Sequence, residues 1–202
     1  SRNNQHNELV ELQMMIGSTK QEMNNLGARV LKLARINLGA RQKIDGKMRV
    51  TNNTGALSKS LGFRVKQKRS SSGQFASGFD LQFISSMPYA SFMEQGVKGS
   101  ESTKPSAKNS PFKFKSKNLP KGVVSGWMES KPVRLRDLGT GSFVKNTEQA
   151  KKQASFLIGK AIATKGLSAR NYFKDAIEQA VPQQGGKVAV AMALDYIKTL
   201  QA

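Results

Sequence analysis

The stretch LGFRVKQKRSSSGQFASGFDLQFIS, Leu61 to Ser85, contains two runs of period two. Leu61, Phe63 and Val65 alternate with Gly62, Arg64 and Lys66, and Phe79, Leu81 and Phe83 alternate with Asp80, Gln82 and Ile84. Successive side chains of a strand point to opposite faces, so each run reads as a half-buried strand with one face on a core. The segment between them, Lys68 to Gly78, is rich in Ser and Gly and basic at one end, which makes it the tip of a β-hairpin. That tip either reaches a partner or a central channel, or is a plain solvent loop.

The flanks of the hairpin read as helical. From Asn7 to about Leu38, the residues Leu9, Leu12, Ile16, Thr19, Met23, Leu26, Val30 and Leu33 recur at steps of three and four, the period of an amphipathic helix. Asn7 is its expected cap, and Gly17 and Gly27 are expected weak points where it kinks or breaks. The stripe suits either the chain's own sheet or a neighbouring subunit. Lys43 to Asn53 is polar and reads as a connection, and Asn53 to Leu61 as a short helical turn capped by Thr54, with Leu57 and Leu61 on one face. After the hairpin, Pro88 suits the first turn of a short helix ended by Gly96, on which Tyr89, Phe92 and Met93 share a face. A helix from Asn146 to Lys165, capped by Asn146 and stopped at Gly166, is expected to bury Ala150, Ala154, Leu157, Ile158, Ala161 and Ile162. A third, capped by Ser168, runs to Ala180, where Pro182 forbids continuation. A last helix, Gly186 to Leu200, carries Val190, Leu194, Ile197 and Leu200 on one face. A long N-terminal helix, a block of strands and C-terminal helices read as an α+β fold.

The chain has 202 residues, 38% of them hydrophobic, enough for one substantial domain. We read residues 1–202 as a single domain, with a basic Pro- and Lys-rich stretch at about 98–145 and a last helix at about 184–202. The 33 Lys and Arg against 13 Asp and Glu leave a formal charge of +20, and self-repulsion of that size asks for an anionic partner, salt or spatial separation. The cations cluster: Arg41 to Ser70 has nine Lys/Arg and one acid, and Lys98 to Arg136 has ten and two. Phe112 and Phe114 alternate with Lys113 and Lys115, which suits either a base-stacking surface or a half-buried strand with its lysines in solvent.

Several classes are disfavoured. Without cysteine there are no disulfides and no thiolate sites. His6 is the one histidine, the usual nucleotide, hydrolase and zinc motifs are missing, and the acids form no local cluster. Asp175 and Glu178, a helical turn apart, read as a solvated face. We therefore expect no catalytic residues, no metal, no cofactor and no enzyme. The longest apolar run, Val188 to Leu194, is far below the ~20 residues of a membrane span, so the chain reads as soluble with no membrane partner. The polar start Ser1-Arg2-Asn3-Asn4 reads as a chain without a signal peptide, its initiator Met removed.

Two distant stretches, MPYASFMEQGVKGS (Met87 to Ser100) and GLSARNYFKDAIEQA (Gly166 to Ala180), add a further indication. Together they resemble the head-tail joining, neck and tail-completion proteins of tailed bacteriophages, a family of minor tail proteins. There a Tyr-Ala-x-x-x-Glu-x-Gly segment precedes an Arg-x-aromatic-aromatic helix start. Thr54, Gly55, Leu57 and Ser60 are similar to that family's segment before the first strand. The resemblance implies helices on one face of a small, mainly antiparallel sheet; against the simple family domain, the basic stretch at about 98–145 is an insertion and the helix at about 184–202 an extra one. The resemblance implies a virion protein, assembled in the host cytoplasm. It would form a homo-oligomeric ring, a hexamer or dodecamer, at the portal-tail junction, between portal, adaptor or head-closure proteins and tail terminator or tail tube proteins. It implies core or interface roles for Thr54, Gly55, Leu57, Tyr89, Ala90, Phe92, Glu94, Gly96, Arg170 and Phe173, with Tyr89, Phe92 and Met93 packed against Phe173 and Ile177 beneath the hairpin. Genomic double-stranded DNA would pass through the ring, contacted nonspecifically by Arg64, Lys66, Lys68 and Arg69 and by Lys113, Lys115 and Lys117 of the insertion, which otherwise face acidic neighbouring rings. The alternatives are a stand-alone basic nucleic-acid-binding protein and, within the virion class, a tail-terminator subunit.

Overall fold

The computed structural model describes residues 18–50, 55–69, 76–119, 123–130, 134–137, 139–143, 145 and 147–201. The expectations for His6, Asn7 to Gly17, Thr54, the hairpin tip 70–75 and Asn146 lie outside these residues, as do those for the side chains of Arg69 and Leu200. The described chain is α+β, with six α-helices and two antiparallel two-stranded sheets. It forms two compact units: one from the described residues of Ser1–Gln42, Met48–Ala90 and Asn171–Ala202, the other from Lys43–Lys47 and Ser91–Arg170.

The first unit is built on helix α1, Thr19–Gly39. Ser18 accepts from the Gln21 N–H as N-cap, and the Thr19 N–H donates to Asp195 Oδ2 at 2.9 Å. A carboxylate at this end satisfies an otherwise unbonded N–H and complements the helix dipole. Leu26, Val30, Ala34 and Leu38 are buried along one side. The predicted break at Gly27 does not occur: α1 is continuous through it. Its missing side chain is filled by the hairpin, because a Cβ there would lie 2.4 Å from Phe63 Cδ2 and 2.9 Å from Leu81 Cδ1.

Strands β1, Arg41–Ile44, and β2, Lys47–Val50, form a ribbon where a plain connection was expected. Its turn is Asp45-Gly46, with φ of 48° and 77°, and two consecutive left-handed residues match the twist of a tight hairpin. Helix α2, Ala56–Ser60, is capped by Gly55 at φ 78° without a side-chain hydrogen bond. Leu57 and Leu61 are buried as predicted. Arg35 ties α1 to the end of α2, donating from Nε to the Ser58 carbonyl at 3.2 Å and from Nη2 to the Leu61 carbonyl at 3.1 Å.

The hairpin forms in the expected place: β3, Leu61–Arg69, pairs antiparallel with β4, Ala76–Ser85. Phe63 faces Phe83 and Val65 faces Leu81 across the ladder. The Ser60 and Ser85 hydroxyls meet at 2.7 Å at its base. The apolar face lies on α1.

One long helix, α6, Tyr172–Gln201, replaces the two expected at the C-terminus and contains Pro182. Tyr172, Ala176, Ala180, Ala191 and Leu194 are buried on both sides of the proline, and α6 packs along α1. Burial on either side outweighs the ~3 kcal/mol that proline costs a helix interior. The buried face is therefore rotated from the expected one: Leu194 is inside, but Val190 and Ile197 are exposed.

The second unit holds α3, Ala90–Gln95, from Ser91 onward, a 3-10 turn at Pro105–Ala107, α4, Val123–Ser130, and α5, Glu148–Lys165. The expected insertion falls inside it. Thr147 is the N-cap of α5, accepting from Ala150 N–H at 3.2 Å, and Gly166 ends the helix at φ 76°. Its buried residues are Gly159, Ala163 and Thr164, whereas Leu157 and Ala161 of the predicted face are exposed. The small side is inside because backbone, not side chain, packs there. The N–H of Ser100 bonds the Ala163 carbonyl, and those of Glu101 and Ser102 the Thr164 carbonyl, at 2.9 to 3.2 Å. These bonds satisfy carbonyls that a helix end leaves open.

Candidate assembly and polyanion-binding surfaces

The two stretches singled out in the sequence meet in the second unit. Val97 and Leu167 exchange backbone hydrogen bonds at 3.0 and 2.8 Å, and the Arg170 N–H donates to the Met93 carbonyl at 2.9 Å. Gly96, at φ 72°, permits this approach: a Cβ there would sit 2.7 Å from both the Ala169 nitrogen and the Leu167 oxygen. Ser110 Oγ donates to the Gly96 carbonyl at 2.8 Å. Ser106 is a second knot, accepting from the Ala169 N–H at 3.1 Å and donating from N and Oγ to the Asp45 carboxylate at 3.0 and 2.8 Å. Burial works to raise the Asp45 pKa. It is outweighed by the hydroxyls of Ser168 and Ser106, the Ser106 N–H and nearby Lys104, which hold the carboxyl below its ordinary value. These residues form architecture, with backbone and small side chains at the centre.

The aromatic residues of the two stretches are divided between the units. In the second unit, Phe92 packs edge-on to Phe112 at 4.7 Å between ring centroids. In the first, Phe173 packs on Phe83 at 5.0 Å and on Tyr172 at 5.1 Å, and Tyr172 Oη donates to the Ala90 carbonyl at 3.1 Å. Tyr89 and Ile177 are exposed instead of clamped. Glu94 is half-buried, and its carbonyl accepts from the Arg170 N–H at 3.2 Å.

The predicted cations form two groups, one per unit. Arg64, Lys66 and Lys68 are exposed along β3, away from α1. Arg64 donates to Gln82 Oε1 at 2.9 Å and Lys68 pairs with Asp80 at 3.0 Å. In the other unit, Lys113 and Lys115 are exposed while Phe112 and Phe114 are half-buried. The segment bonds through Phe112 O and Phe114 N to Lys98, each at 2.9 Å, as a single parallel bridge with its lysines in solvent. Lys117 pairs with Glu101 at 2.8 Å. Lys68 and Lys117 are thus partly neutralised.

Sequence reasoning missed two kinds of surface. One is apolar: α6 exposes Ile177, Val181, Val190, Met192, Tyr196 and Ile197, and α5 exposes Phe156 and Leu157. The other is a tight ribbon in the second unit where Arg136 bridges Phe143. Leu135 is buried, while Arg134, Arg136 and Phe143 are exposed. The guanidinium carbons of Arg136 and Arg134 lie 4.2 and 5.8 Å from the Phe143 ring centroid. The alternation Arg-Leu-Arg followed by an Asp-x-Gly-Thr-Gly turn was the available signal. Among the described residues, no group of three or more His, Asp or Glu is placed to hold a metal ion, and no helix is long and apolar enough to cross a membrane.

Comparison with known proteins gives no match: no protein-family model, no curated protein and no solved structure is similar to the chain.

Proposed function

We propose that the chain is a structural, non-enzymatic virion protein of a tailed bacteriophage. It forms a ring in the neck that joins the portal complex to the tail and lets genomic DNA pass. The observation that carries this reading is the pair of unlike apolar surfaces, the side of α6 that carries Ile177, Val181, Met192 and Tyr196 in one unit and Phe156–Leu157 of α5 in the other. A head-to-tail contact between copies needs two different complementary patches, and it closes into a ring when the rotation between subunits allows. Scattered exposed apolar residues are ordinary, whereas a row of them along one helix marks an interaction face. The motif resemblance supplies the phage context. The +20 charge fits loose phosphate contact that lets DNA slide.

Mass photometry and negative-stain electron microscopy test the reading. The purified protein, alone or with portal and tail partners, should give rings of one stoichiometry. Val181→Glu with Met192→Glu, or Phe156→Glu alone, should yield subunits that keep their circular dichroism and no longer close. A monomer that binds DNA tightly and never enters virions would instead establish the stand-alone nucleic-acid-binding protein. The partners found above and below the ring separate a neck subunit from a tail terminator.

A further inference from the structure

We propose that the ribbon Arg134–Phe143 is a contact site for single-stranded nucleic acid, with Phe143 and Arg136 stacking a base and Arg134 and Arg136 holding phosphate. The site does not depend on ring assembly. Its geometry is fixed from beneath and from the turn. Leu135 is 7% exposed and anchors one face, so the period of two turns Arg134 and Arg136 outward. Asp137 shapes the turn by accepting from Gly139 N at 2.9 Å, Thr140 N at 2.8 Å and Thr140 Oγ1 at 3.1 Å. The Arg136 guanidinium lies over the Phe143 ring and also donates to the Gly141 carbonyl at 3.1 Å. A ring held this way loses little freedom when it binds.

The chemistry selects among polyanions. Phe143 is 58% exposed, a large apolar face left in water beside two cations. An acidic peptide would use the cations and leave the ring idle. A duplex offers phosphates but keeps its bases stacked on one another. Only an unpaired strand presents an open base face and a phosphate together at nucleotide spacing, the combination that single-strand binders meet with aromatic residues and cations. A cation–π pair serving the ribbon alone would need the ring, but would not need its far side left in solvent.

Fluorescence anisotropy of the full chain tests this with labelled dT12, an abasic strand of equal length and a duplex of equal length. The wild type should prefer dT12 to the abasic strand. Phe143→Ala should weaken dT12 binding about 5- to 150-fold, the range of one base–aromatic stack, and leave the abasic strand and duplex unchanged. Phe143→Trp should restore dT12 binding, which keeps the test open if the alanine variant unfolds. Arg134→Gln with Arg136→Gln should weaken all three and lower the salt slope on dT12 by about 1.4, at ~0.7 per phosphate contact. Equal losses on dT12 and the abasic strand in Phe143→Ala, no loss at all, or polyglutamate displacing dT12 as well as unlabelled dT12 does, would each overturn the site.

Discussion

At the scale of single residues, this protein relies on absent side chains. Gly27 costs α1 about 1 kcal/mol in helix propensity, yet Phe63 and Leu81 occupy the space its side chain would take. Gly27→Ala should therefore lower the urea midpoint, since overpacking of ~1–3 kcal/mol exceeds the propensity gain. Gly96 is under tighter constraint because its neighbours are backbone and its φ is 72°. Gly96→Ala should cost more than about 2 kcal/mol, combining left-handed strain with overpacking, and be seen as early unfolding of the second unit by hydrogen exchange. Asp45 gives a pH-dependent counterpart. Its folded pKa is depressed, so its contribution is present above the unfolded pKa and is lost as pH falls through the folded one. Thermal melts should show Asp45→Asn less stable than wild type at neutral pH, with the gap closing below about pH 4. The sequence marked Gly27 as a breaker because propensity is local, whereas the ring that fills the gap comes from Phe63, far along the chain.

Elements show where local rules hold and where packing overrides them. The hairpin was legible because alternation in Leu61–Val65 and Phe79–Phe83 needs no knowledge of the partner, and its observed register pairs Phe63 with Phe83 and Val65 with Leu81. The β1–β2 ribbon was also there to be read, in the Asp45-Gly46 pair. Helix α6 was not, because Pro182 and Gly186 argue against a helix that long-range burial of Ala176, Ala180, Ala191 and Leu194 sustains. These two residues should be removable at a gain. Pro182→Ala restores an N–H and relieves a ring clash, and Gly186, with nothing within 4 Å of a built Cβ, has room for a side chain. Differential scanning calorimetry should show stabilisation of ~1–3 kcal/mol for the first and up to ~1 kcal/mol for the second.

At the scale of the molecule, charge and chain order govern behaviour. The described ion pairs are exposed, and such pairs contribute little each, so they do not offset an excess of twenty cations. Raising salt from ~0.05 to ~0.5 M should raise the melting temperature by screening self-repulsion; a fall would mean that the few ion pairs matter more than the net charge. The cationic character was legible from composition. Which cations are paired, and the placing of Phe143 beside two arginines, were not, since both depend on cross-strand register.

The bond from Thr19 N to Asp195 joins residues 176 apart in sequence, and it bears on how the protein is made. Chains emerge from the ribosome N-terminus first. Residues 91–170, most of the second unit, are complete while α6 is still being synthesised, but α1 and the hairpin must wait for α6 before Ala34, Leu38 and Tyr172 can be buried together. A chain that stops after Arg170 has no helix to cover α1. Folding of the first unit thus lags behind synthesis of the second and reports whether α6 has been made.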